Sequence, residues 1–293
     1  MKECLFRGVG TALITPFTEG GIDEAAFARL IEFQIENGVD ALIVAGTTGE
    51  GSVLTEAEYE SLIAFSLRQV AGRVPVIAGS GANDTRKAID RTKLACDLGA
   101  DGVLLVTPYY NKTTQRGLMA HFEAIADASN RPCILYNVPG RTGLNMLPET
   151  VAQLAEHPRV AAIKEASGNI SQVARIRQLC GEKIAVYSGC DDQTVPVLSL
   201  GGMGVISVAS NVVPREMSEL CRAWFRGETA LAAAEQLRLL ELMNLLMVET
   251  NPIPAKAACA ALGFGENRLR LPLVPMEKQN EEKLLRALKE VQE

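Results

Sequence analysis

Eight short, almost uninterrupted apolar runs, each followed by a longer amphipathic stretch, constrain this chain more than any other feature. The runs are VGTALIT (9–15), ALIVAG (41–46), VPVIAG (74–79), GVLLVTP (102–108), PCILYN (132–137), VAAIK (160–164), KIAVYSG (183–189) and GVISVAS (204–210). A strand with one face in water alternates apolar and polar residues. A run that is apolar throughout is covered on both faces, the condition of a strand in a parallel sheet. The stretches between them repeat apolar positions at three and four, as helices do. Residues 23–36 open with acids. Thr55 and Glu58 have the spacing of a capping box, and Asp84 opens a helix that Gly99 ends. Further helices are predicted near 115–128, 149–156, 170–180, 191–200 and 214–226.

Eight strand–helix units in about 225 residues predict an α/β fold, a closed (β/α)8 TIM barrel. An open doubly wound sheet is disfavoured because no GxGxxG follows the first strand. The alternation then stops. Residues 1–226 read as a barrel catalytic domain and 227–293 as an all-helical C-terminal extension. The extension is built from ETALAAAEQLRLLELMNLLMVE, IPAKAACAALG and EEKLLRALKEVQ.

Composition removes several function classes. The net charge is −6 with both signs interspersed, so no basic patch invites nucleic acid. No uncharged stretch reaches the roughly 18–20 residues of a membrane span, and MKECLFRGVGTALITPF lacks the apolar core of an export signal. The seven cysteines form no CxxC pair and are read as reduced, mostly buried thiols of a cytoplasmic protein. His121 and His157 are the only histidines and lie far apart, which nearly excludes a His-based metal site or a Ser-His-Asp triad but not an all-carboxylate metal site.

Barrel enzymes carry their chemistry at the C-terminal ends of the strands. Lys164 stands directly after VAAI and is expected to point into the barrel mouth among apolar walls. There desolvation disfavours the ammonium and frees the amine to attack a carbonyl; the plainer alternative is a lysine that snorkels to water. GTTGE (46–50) offers the Thr47 and Thr48 hydroxyls and backbone N–H groups between glycines, a setting for a carboxylate or phosphate. Tyr136 ends the neighbouring strand, with its phenol able to relay protons if bonded to a hydroxyl such as Thr47. Arg141, in a Pro-Gly turn at the same rim, has the fork geometry for a carboxylate. Tyr109–Tyr110 is an aromatic pair on a loop. Asp191 and Asp192 are expected to cap the helix that follows rather than bind a metal.

With these residues in view, the chain resembles the dihydrodipicolinate synthase (4-hydroxy-tetrahydrodipicolinate synthase) family of Schiff-base pyruvate lyases. The likeness runs from about residue 5 through the helical tail. GTTGE (46–50), TPYYNK (107–112), YNVPGRTG (136–143), IKEASGN (163–169), SGCDD (188–192) and GVISV (204–208) occur in order. The resemblance implies that Lys164 forms an imine with pyruvate while Thr47 and Thr48 hold its carboxylate. Tyr136, Thr47 and Tyr110 would form a proton relay, Tyr110 reaching in from a neighbouring subunit. Arg141 would bind the carboxylate of L-aspartate 4-semialdehyde, and Gly189 and Ile206 would line the pyruvate side through backbone contacts. It further implies no metal or organic cofactor and a homotetramer built as a dimer of dimers. Lysine-inhibited members carry a histidine where this chain has Glu56 and a glutamate where it has Lys87, and Gly51-Ser52 replaces their Ser-Ala, although Asn83 and Tyr109 remain. Weak or absent lysine inhibition is therefore expected.

Three rivals remain. N-acetylneuraminate lyases and 2-keto-3-deoxy sugar acid aldolases share the lysine, the tyrosine and a similar glycine loop, but generally lack the GRTG turn. A phosphosugar isomerase would use GGMG (201–204) as a phosphate cradle and would need a rim base, for which only Glu50 stands out. A non-catalytic barrel gives no reason for Lys, Tyr, Thr and Arg to share one rim.

Overall fold

The computed structural model describes residues 4–292. Eight parallel strands close in chain order: β1 Gly8–Ala12, β2 Ala41–Val44, β3 Val76–Gly79, β4 Gly102–Val106, β5 Cys133–Asn137, β6 Val160–Glu165, β7 Ala185–Ser188 and β8 Gly204–Ser207. Strand β1 pairs with both β2 and β8, so no edge is left unpaired. The double-sided burial expected of these runs is seen residue by residue. Ala41, Ile43, Ile77, Leu104, Ile134, Ala162 and Ile206 fill the barrel interior. Their chain neighbours Leu42, Val44, Ala78, Val103, Leu135, Ile163 and Val205 face the layer between strands and helices. Below them the Phe6 ring stacks on Tyr187 with centroids 4.2 Å apart, and the Tyr187 hydroxyl donates to the Phe6 carbonyl.

The outer ring consists of α1 Glu24–Glu36, α2 Glu56–Val70, α3 Thr85–Leu98, α4 Gln115–Ala128, α5 Pro148–Leu154, α6 Ile170–Cys180, α7 Thr194–Ser199 and α8 Pro214–Phe225. The first three of these helices begin and end on capping residues. Asp23 accepts from the Ala26 N–H, and the Thr55–Glu58 capping box is complete. Gly99 ends α3 in the left-handed conformation. The tail contributes α9 Thr229–Arg238, α10 Leu240–Leu245, α11 Ile253–Ala261 and α12 Lys278–Gln292. One continuous helix had been expected over 228–249; it breaks at Leu239 into α9 and α10. These tail helices turn back onto the barrel: α10 packs on the single turn Asp191–Gln193 after β7, and α11 on the turn Ala209–Asn211 after β8.

Other departures are local. The first run leaves the ladder at Ala12 instead of Thr15, and the Ile14 N–H is taken up by Asn211 Oδ1. A two-residue hairpin, Phe17–Thr18 against Gly21–Ile22, had no sequence signal. GGMG (201–204) leads into β8 and supplies its first residue, so it lies at the end of the strand opposite the mouth, which removes it as an active-site phosphate cradle. Its Gly204 closes the barrel: a Cβ there would sit 1.8 Å from the Gly8 carbonyl oxygen, at φ +147°. Gly204→Ala is expected to cost about 3 kcal/mol or more and to lower the melting temperature by roughly 5 °C or more. Gly20→Ala, where only the Thr18 hydroxyl comes within 4 Å, should stay within about 0.5 kcal/mol of the parent. Thermal melts followed by circular dichroism check the pair.

Candidate active site

Lys164 follows Ala162 by two residues, so it shares the inward face of β6. It is 4% exposed. Its register partner on β5 is Tyr136, and Lys164 Nζ lies 4.5 Å from the Tyr136 ring centroid. Burial pulls the Lys164 amine down to about 8, opposed by the negative potential of Asp191. Burial likewise pushes the Tyr136 phenol up to about 12, and its hydroxyl is hydrogen-bonded to the Thr47 side chain, as the sequence reading required. Near neutral pH the phenol is therefore protonated, and the amine it faces gives up its proton far more readily than an exposed lysine does. Gly189 makes room for them: a Cβ there would lie 3.0 Å from Lys164 Cε.

The register is locked from behind. Glu165, one residue after Lys164, points the other way and accepts from Asn137 Nδ2, the Ser167 N–H and Gln172 Nε2. Asn137 and Glu165 are themselves a register pair, so this buried network fixes the ends of β5 and β6 just where Tyr136 and Lys164 project.

A cavity of about 240 Å³ is lined by Gly46, Thr47, Tyr136, Arg141 and Thr142 together with Ser52, Lys87, Arg91 and Tyr109. Thr47, Tyr136 and Arg141 thus line one cavity. Lys164, Thr48, Gly189 and Ile206 are not among its lining residues. Ile206 is fully buried in the interior cluster with Tyr136, and the buried Thr48 hydroxyl accepts from Asn251 Nδ2 at 2.9 Å. Arg141 sits in a single helical turn, Pro139–Thr142, rather than an open loop, and donates to the Asn251 carbonyl at 2.7 Å. Tyr110 stands apart. At φ +68° its side chain is 92% exposed, away from its own chain's cavity, while Tyr109 lines that cavity.

Asp191 corrects an expectation. Its carboxylate does not cap α7. Oδ2 accepts from the Val208 and Ala209 N–H groups at 3.0 Å each, tying the end of β7 to the turn after β8 and setting a negative charge near Lys164. Among the described residues no group of three or more His, Cys, Asp or Glu is placed to hold a metal ion. Sequence reasoning also missed Asn251 and Lys256. The available signal was Lys256 itself, the single charge in the apolar helix IPAKAACAA.

Fold and pairing together define a class: a parallel barrel equipped for amine–carbonyl chemistry at its mouth. More narrowly, the chain belongs to the dihydrodipicolinate synthetase family, whose sequence pattern it matches over residues 5–291. It is 54% identical over 285 residues to the 4-hydroxy-tetrahydrodipicolinate synthase of Alkaliphilus oremlandii, covering 97% of this chain and 98% of that protein. The dihydrodipicolinate synthase of Thermotoga maritima superposes with a TM-score of 0.96 at 49% identity, covering 98% of this chain and 99% of that one. A dihydrodipicolinate synthase variant described as monomeric does so with the same score and identity, over 98% and 97%.

Competitive labelling with acetic anhydride, mapped by mass spectrometry across pH, reads the amine directly. Lys164 should titrate near 8, against about 10.4 for exposed lysines. Because the Asp191 charge raises the Lys164 value, Asp191→Asn should move that midpoint to lower pH.

Proposed function

We propose that this barrel condenses pyruvate with L-aspartate 4-semialdehyde through a Schiff base on Lys164, giving 4-hydroxy-tetrahydrodipicolinate for lysine and diaminopimelate biosynthesis. The observation that carries this reading is the buried Lys164 amine, set against a phenol that Thr47 hydrogen-bonds. The Lys164 amine adds to the pyruvate ketone, and the carbinolamine loses water to form the imine. The protonated imine draws electrons from the pyruvate methyl group, which gives up a proton to become an enamine. The enamine carbon attacks the semialdehyde carbonyl and a C–C bond forms. The substrate's own amine then attacks the imine carbon, closes the ring and expels Lys164. One water leaves overall, and each step moves a proton that a hydroxyl chain beside the lysine has to carry.

Tyr136 and Thr47 begin that chain within the subunit, and Thr47 and Thr48 hold the pyruvate carboxylate. Gly189 and Ile206 line the pyruvate side through their backbone, and Arg141 meets the semialdehyde carboxylate. Tyr110 completes the relay of a neighbouring subunit in a cytoplasmic homotetramer, a dimer of dimers. Its near-complete exposure in one chain suits a residue that acts in another. Feedback by lysine is weak or absent, because Lys87 and Arg91 place two cations on the cavity wall and already engage Glu56, at 3.2 and 2.9 Å.

Borohydride added with pyruvate should trap an adduct that maps to Lys164 and is missing from Lys164→Ala; trapping elsewhere contradicts the assignment. Tyr136→Phe is expected to lower kcat by roughly 10²-fold. In steady-state assays Arg141→Met should raise the KM for the semialdehyde while leaving that for pyruvate near its parent value. Micromolar lysine should leave the rate unchanged, and half-inhibition in that range would refute the reading of Glu56 and Lys87.

A further inference from the structure

A second lysine is buried as deeply as the first. Lys256, on α11, is 1% exposed and forms an ion pair with the equally buried carboxylate of Glu50, the last residue of GTTGE. Lys256 Nζ also donates to the Arg268 carbonyl at 2.8 Å and lies 4.0 Å from the Phe17 ring centroid. The second Glu50 oxygen accepts from the Arg270 N–H at 3.0 Å. One carboxylate thus joins the loop after β2 to two separate segments of the tail. Glu50 itself adopts φ +53°, a conformation that a non-glycine residue keeps only when its surroundings hold it there.

The same loop is gripped at two further points. The Thr48 hydroxyl accepts from Asn251, just ahead of α11, and Thr15 Oγ1 donates to the Gly49 carbonyl. A turn bond from the Glu50 N–H to the Thr47 carbonyl links the ion-paired residue to the threonine that bonds Tyr136. Well-packed apolar residues of the same volume often replace a buried ion pair at no loss of stability. What they cannot replace is direction, since Glu50 aims two oxygens at two fixed donors. We infer that Glu50 and Lys256 are positioning residues for pyruvate: from the tail, they hold the β2 loop so that Thr47 and Thr48 meet the substrate carboxylate. The inference rests on the reading that this loop binds that carboxylate.

The test separates positioning from mere structure. Borohydride trapping is titrated with pyruvate for the parent, Lys256→Met, Glu50→Gln and the double variant, with a thermal melt of each. Each single change leaves its buried partner unmatched, so it should lower the melting temperature and raise the pyruvate concentration for half-trapping by about tenfold or more. The double variant should regain most of the melting temperature yet keep the weakened pyruvate response. Half-trapping at the parent concentration in Glu50→Gln or in the double variant overturns the inference. Failure of the parent to trap any adduct overturns the functional reading beneath it instead.

Discussion

Desolvation of one amine governs this molecule. Lys164 is held inside a wall of aliphatic and aromatic side chains where an ammonium is costly, and burial alone accounts for most of the fall of its pKa to about 8. The features around it maintain that state without losing control of direction. Gly189 leaves room for the methylene chain. The Glu165–Asn137–Gln172 network pins the strand end, and Asp191 keeps the amine from being depressed further. A looser barrel end would let water in and return the Lys164 pKa toward that of an exposed lysine.

The closed barrel supplies the rigidity. Because every strand is buried on both faces, a shift of one residue would move Ala162, Lys164 and Ile134 out of the interior and put Ile163 and Leu135 there. Two-fold alternation within an all-apolar run therefore decides which single polar residue per strand reaches the mouth. On β6 it is Lys164, with Glu165 turned to the opposite side; on β5 it is Tyr136, with Asn137 turned away.

That logic explains what could be read beforehand. Strand and helix placement was legible because it follows from local hydrophobic period and from caps such as Thr55–Glu58 and Gly99. Lys164, Tyr136, Thr47 and Arg141 were legible because each ends a strand or opens the loop after one, where barrel chemistry collects. The rest depends on pairings between residues distant in the chain, which no local pattern encodes. Asp191 gave the signal of a helix cap but spends its carboxylate on amides 17 and 18 residues away. Asn251 lies in the tail yet bonds Thr48, 203 residues earlier. The break at Leu239 interrupts a stretch whose helical pattern is unbroken, where the tail turns to pack on the strand-end turns after β7 and β8. Tyr110 was placed through the family likeness, and a single chain leaves its side chain in solvent.

The most direct test of the buried amine is a crystal structure of the enzyme reduced with borohydride in the presence of pyruvate. The account predicts continuous density from Lys164 Nζ to the pyruvate C2 carbon, with the carboxylate against Thr47 and Thr48 and the Tyr136 hydroxyl beside the new C–N bond. Density for pyruvate joined to another lysine, or lying unbonded while Lys164 is unmodified, would contradict it.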